Sequence, residues 1–345
     1  MEPILQQQLK NGQVQAIQLK QWTQINMANY KDIHGTNIET VASDPSNPVD
    51  GQVWYNSAEQ KLKGFTDNPA GSWASGGNMN NARDFMGTAG TQTATLAFGG
   101  QPNPIMAKAE SYNGSSWTNI SDMGTSRRDF SGSGTQTAAL AISGQTNPDA
   151  PTANVELWNG SSWAEQSNVN TSRRGAGGSG TSTSSLIAGG AQEGGAGTVD
   201  SVESWNGSSW TETTDLNTAR SAIFSGAAGA SNTSQLIVTG SNTEQWNGSS
   251  WTEVADLNTA RLGAGGGIAT DMFIAGGPPK RAVTELWNNS SWTEVADLAT
   301  GRSAPGGAGT TTAGIAIGGE TDPGRVTTTE EFTSPASATV TFDVS

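Results

Sequence analysis

Residues 157–163 read LWNGSSW, and the block returns as SYNGSSW ending at Trp117, SWNGSSW ending at Trp210, QWNGSSW ending at Trp251 and LWNNSSW ending at Trp292. A degenerate copy, AGSW, ends at Trp73. From Trp73 the closing Trp residues, Trp163 among them, are 44, 46, 47, 41 and 41 apart. That period fits a four-stranded propeller blade and is too long for leucine-rich, ankyrin or helical-hairpin repeats. Asn-Gly between apolar residues signals a hairpin, because both residues tolerate the positive φ of a type I′ turn. Whether the loop is Asn-Gly alone or all four residues, Trp158 and Trp163 fall on one sheet face, as diagonal neighbours or as a direct pair.

Working outward, each unit carries the same further pieces. A Gly-rich stretch follows an Arg, at Arg83, Arg127, Arg173, Arg220, Arg261 and Arg302. A short apolar run then closes on small residues (LAFGG, LAISG, LIAGG, LIVTG, FIAGG, IAIGG). After a variable loop, a strand carries Glu110, Glu156, Glu203, Glu244, Glu285 or Glu330, with an aromatic two residues later. These strands are termed a, b, c and d, the last opening on the repeated Trp. Six a–b pairs, six c strands and six d strands are present, but the first d, at about 72–77, precedes the first a. The economical closure is a six-bladed ring whose last blade, about 303–333, borrows that d strand and so has no open edge.

The Gly doublet, the aromatic of the next strand, the following Trp and the Arg ending DLNTAR at Arg220 and Arg261 resemble the kelch repeat, over roughly Gly71 to Phe332. The pattern departs from kelch in its compressed NGSS loop and in the doublets broken at Ser143-Gly144 and Thr239-Gly240. The near-identical Gly/Ser/Thr-rich repeats are similar to kelch-like proteins of bacteriophage tails. Trp54-Tyr55-Asn56, in GQVWYNSAEQKLKGF from Gly51, resembles a hairpin of phage tail and fibre proteins. The expected fold is therefore all-β, a six-bladed kelch-like β-propeller over 51–345 with an extended N-terminal arm and linker over 1–50. The alternating strand 338–344 is expected to extend the closing blade or to pair with another chain.

The chain has 345 residues, 17 basic against 31 acidic side chains, one His and no Cys. Leu, Ile, Val and Phe make up only 52 of them, a proportion at which chains often fail to fold. Low charge density and 12 Trp offset this, since each Trp buries a large apolar surface. An acidic balance argues against phosphate-backbone binding, so no nucleic-acid partner is expected. No run of 18 apolar residues exists, so no membrane insertion is expected. Without Cys, no disulfide framework or thiolate zinc site forms. With His34 the only imidazole, neither a Ser/His/Asp arrangement nor a multi-histidine metal site can be built.

The kelch-fold radical copper oxidases use Cys, Tyr and His, which this ring does not supply together, so no cofactor is expected. The repeated acids are periodic, whereas catalytic pairs usually break symmetry, and a non-enzymatic role is expected. The six Arg and six Glu are read as pairs tying neighbouring blades, with an anion-binding ring as the alternative.

Symmetry is broken in the b–c loops, which carry Asn103, Asp149, Glu193, Lys280 and Asp322 as candidate partner contacts. The arm carries Ile4, Leu5, Leu9, Val14, Ile17, Leu19 and Trp22, too few for a core of its own, and is read as ordering against a partner. The resemblance implies a virion structural protein of a phage tail or fibre apparatus, assembled in the host cytoplasm. It would be present in several copies in a symmetric assembly, its arm docked to tail, portal or fibre proteins and its ring meeting a host-surface glycan or receptor. The alternative is a carbohydrate-binding or carbohydrate-active propeller working through the b–c loop face.

Overall fold

In the computed structural model, Trp158 stands directly opposite Trp163 across an antiparallel pair, with ring centroids 5.5 Å apart. The loop between them is therefore all of Asn-Gly-Ser-Ser. Gly160 takes φ +94° while Asn159 stays out of the left-handed region, so the turn is not type I′. The Asn159 Oδ1 instead accepts the N–H groups of Ser161 and Ser162, which closes a wider loop. The described residues are 38–49, 51–68, 70–102, 104–192, 197–221, 226–334 and 336–342, and they contain strands and turns but no helix.

Two compact units are present, residues 70–334 and a smaller one whose described residues are 38–49, 51–68 and 336–342. The larger is a six-bladed β-propeller. Blade 2 illustrates the plan: Ser131–Thr135, Ala138–Ile142, Val155–Trp158 and Trp163–Gln166, each antiparallel to the next. Blades 1, 3, 4 and 5 repeat it, with inner strands Gly87–Thr91, Gly177–Thr181, Ala227–Ser231 and Ala264–Ile268. Blade 6 joins Gly306–Gly309, Ala313–Ile317 and Thr329–Thr333 to Ser72–Ser75, with Phe332 opposite Trp73. Each inner strand lies beside the next, the sixth beside the first, so the ring closes.

Glycine lets the inner strands crowd the axis. A Cβ on Gly132 would sit 2.3 Å from the Thr88 carbonyl oxygen of the neighbouring blade. The axial cavity that remains is about 110 Å³, lined by residues such as Thr88, Gly132, Gly178, Gly229, Gly266 and Ala308.

The two indoles of a hairpin do different work. The Nε1 of Trp158, Trp205, Trp246 and Trp287 donates to a carbonyl in the a–b turn of its own blade. Those of Trp163, Trp210, Trp251 and Trp292 donate to the carbonyl of Ser121, Ser167, Thr214 and Ala255, just beyond the d strand of the preceding blade. Trp117 and Trp73 do the same to Gly77 and Ala296, carrying the contact across the closure. The repeat thus encodes both blade and blade-to-blade attachment.

The C-terminal strand departs from expectation. Ala336–Phe342 pairs with Lys61–Asn68, not with blade 6, whose d position is already filled by Ser72–Ser75. With Glu39–Val41 and Val53–Asn56 these strands form a separate four-stranded sheet. The propeller therefore spans 70–334 rather than 51–345. The stretch from Ser43, expected to be a linker, supplies this sheet's polar centre. Asp44 accepts from Trp54 Nε1 (3.0 Å), Asn56 Nδ2 (2.8 Å) and Lys63 Nζ (2.7 Å). The hydrogen bond from Lys63, with those from Asn56 and Trp54, lowers the Asp44 carboxyl from 3.8 to about 2. Trp54 and Asn56 share a strand face at i and i+2, which explains the Trp-Tyr-Asn spacing.

Candidate functional site

The d–a and b–c connections leave the same end of each blade, and every Arg and Glu of the repeat meets there. Arg83 pairs with Glu110, Arg127 with Glu156, Arg173 with Glu203 (2.6 Å), Arg220 with Glu244, Arg261 with Glu285 (2.5 Å) and Arg302 with Glu330. Each pair is buried, and both sit on the same blade. In blade 3 the Arg173 guanidinium also donates to the carbonyls of Gly189 and Ser201, while Glu203 accepts from the N–H groups of Asn170 and Thr171. Burial lowers the pKa of Arg173, offset by the Glu203 charge.

The link between blades comes from the same residues' backbone. The second Gly of a doublet donates to the Arg carbonyl of the next blade, as Gly100 to Arg127, Gly190 to Arg220 and Gly277 to Arg302, and Gly144 of the broken doublet does the same to Arg173. This is why doublet and Arg recur together. All six guanidiniums are buried and each is paired with its Glu, although the Nε of Arg127 and of Arg261 has no hydrogen-bond partner among the described residues.

A second set of contacts lies two residues beyond the repeated Arg, where the side chains, unlike the backbone, do not repeat. The Phe85 N–H donates to the Ala304 carbonyl, Asp129 to Phe85 and Gly175 to Asp129, joining blades 6, 1, 2 and 3 around the mouth. Phe85, Asp129 and Ala304 hold φ of 52°, 54° and 45°, a conformation that side chains other than Gly rarely adopt. Around this rim stand Asp84, Asp129, Arg128, Arg174 and Arg325. Asp84 is 1% exposed; its Oδ1 accepts from Arg325 Nε at 2.8 Å, and its Oδ2 has no hydrogen-bond partner among the described residues. Asp129 Oδ2 lies 3.9 Å from Arg128 Nε and 4.0 Å from Arg174 Nη1, and its Oδ1 is likewise without a partner. Burial raises both carboxyls, Asp84 against the lowering effect of Arg325, and Asp129 from 3.8 to about 6 against that of Arg128 and Arg174.

Of the expected loop contacts, exposed Asp149 accepts from Arg128 at 3.1 Å and so belongs to this cluster. Lys280 pairs with Asp322 at 2.6 Å and approaches Glu320 at 3.6 Å, bridging the b–c loops of blades 5 and 6. Ile4, Leu5, Leu9, Val14, Ile17, Leu19, Trp22, Asn103 and Glu193 lie outside the described residues. Asp84, Asp129, Arg128, Arg174 and Arg325 are not among the expected site residues. Their signal was present in the doubled Arg127-Arg128 and Arg173-Arg174 and in the Asp following Arg only in blades 1 and 2. Among the described residues, no group of His, Asp or Glu has the arrangement of a metal site.

No family model and no curated protein matches the chain. Among solved structures, one titled "Structure of YjhT" is similar over 76% of this chain and 99% of that one, with a TM-score of 0.61 and 13% identity. At that identity the likeness speaks for the fold alone, and the fold it speaks for is the β-propeller already counted out blade by blade.

Proposed function

We propose that the chain is a non-enzymatic virion protein of a bacteriophage tail or fibre apparatus, whose kelch-like ring presents one end to a host surface. The observation that carries this reading is the division of labour within the repeat. The periodic Trp, Arg and Glu residues are spent on holding the ring, while the aperiodic charged groups gather at the end where the b–c loops emerge. A rigid ring with variation confined to one end suits recognition. The phage setting rests on the likeness of the Gly/Ser/Thr-rich repeats and of the Trp54-Tyr55-Asn56 hairpin to tail proteins. In this reading the part of residues 1–50 that precedes Glu39–Val41 docks the chain to its particle, and several copies act together, so that weak single contacts add up.

Antibodies raised against the purified protein test this. They are expected to decorate tails or fibres of particles from the producing host and to block their adsorption. Particles that remain undecorated while the chain is found free in the lysate contradict it.

A further inference from the structure

We infer that Asn113, Asn159, Asn206 and Asn247 are sites of deamidation that the folded c–d turn holds shut, so that each is modified only when its turn opens; the inference is independent of the host-surface reading. All four are exposed and are followed by Gly, which has no side chain to obstruct its own nitrogen. In the reaction that nitrogen, its proton lost to a solvent base, bonds to the Asn Cγ, and the Cγ–Nδ2 bond breaks to release ammonia. Water then opens the resulting succinimide at either of its ring C–N bonds, leaving aspartate or isoaspartate. The folded turn opposes the first step. Asn159 Oδ1 accepts from the Ser161 N–H (3.0 Å), the Ser161 hydroxyl (2.9 Å) and the Ser162 N–H (3.0 Å). Asn113, Asn206 and Asn247 each hold the same three donors at 2.9 to 3.0 Å. Donors meet a carbonyl oxygen near the plane of its group, whereas a nucleophile must come over the face. The three bonds therefore turn the edge of the side-chain amide, not its face, toward the backbone that would attack it. Each bond favours the closed turn by a factor of about five, so three hold the reaction back about a hundredfold. Blade 5 makes the same contacts around Asn288 but has Asn289 in place of Gly, at φ +71°, and so lacks the labile pair. Escape has a structural consequence, because isoaspartate adds a carbon to the backbone of a loop whose ends are fixed by the opposed Trp158 and Trp163.

Site-resolved mass spectrometry of the full-length protein, aged at neutral pH in buffer and in guanidinium chloride, tests this. In denaturant the four asparagines are expected to deamidate faster than Asn288, and in the native chain about a hundredfold more slowly than in denaturant. Ser161→Ala and Ser208→Ala each remove one hydroxyl from an exposed loop position, so both variants keep the fold, which thermal melts check. They are expected to quicken the native reaction about fivefold at Asn159 and at Asn206 respectively, and to leave the other sites unchanged. Native rates within about threefold of the denatured ones, less than one such bond supplies, would overturn the inference. So would the absence of reaction in denaturant, or serine variants that age like the parent. A variant in which all four sites quicken together would also overturn it, by showing that unfolding of the ring, not of a single turn, gates the chemistry.

Discussion

Arg173 and Glu203 show how a charge is made tolerable in a ring with little apolar mass. The guanidinium is fully buried, yet it has carbonyl and carboxylate partners on all sides. Arg173→Met leaves Glu203 buried without its cation and is expected to cost about 3–5 kcal/mol in urea unfolding, with part recovered in Arg173→Met/Glu203→Gln. An unchanged midpoint would remove the pair from the account of stability. Asp129 behaves in the opposite sense. Its carboxyl is raised on folding, so the folded chain holds the proton more tightly, and stability falls as pH rises from 3.8 to about 6. The loss is on the order of 3 kcal/mol and is absent in Asp129→Asn, as melts across that range would show. The Arg–Glu register was legible because it recurs. Asp84 and Asp129 were not, because a search for period discards what breaks it, and a carboxyl's burial depends on backbone paths through four blades.

Among elements, the c–d hairpin carries the most. Trp210 touches Trp205 across the strand pair and reaches the preceding blade through its indole N–H. Trp210→Ala is expected to cost about 3–5 kcal/mol, measured by chemical denaturation, and a cost below 1 would assign the stability elsewhere. Glycine positions separate conformation from crowding. At Gly267, φ is +122° and a Cβ would sit 2.1 Å from the Asp271 carbonyl oxygen, whereas at Gly240, φ is +64° with open space around it. Gly240→Ala therefore costs roughly the 1–2 kcal/mol of the left-handed conformation, and Gly267→Ala more than that. Equal melting temperatures for the two variants would contradict the crowding argument. Strand positions were readable from Gly doublets and Trp spacing. The partner of the last strand was not: alternation marks 338–344 as a strand but names no edge, and that choice was made by the eight-residue strand Lys61–Asn68.

For the whole molecule, closure was readable by counting, since a d strand stood before the first a. Ser72–Ser75 completes blade 6, and the Trp117 indole binds the Gly77 carbonyl just beyond it, so the first and last strands of the propeller segment lock the ring. A fragment of residues 70–334 is expected to unfold in one cooperative step, and one of 78–334 to melt lower and less sharply, because Thr329–Thr333 is left as an open edge. Identical melts would mean that closure contributes nothing. The central claim, that repetition builds a scaffold and leaves its loop end for recognition, is tested most directly by cryo-electron microscopy of the assembled particle. The account predicts six-bladed rings with the b–c loops facing outward and the segment before Glu39 held among neighbouring tail proteins. Rings whose b–c loops are buried against the tail, with the Asn-Gly-Ser-Ser turns outermost, would contradict it.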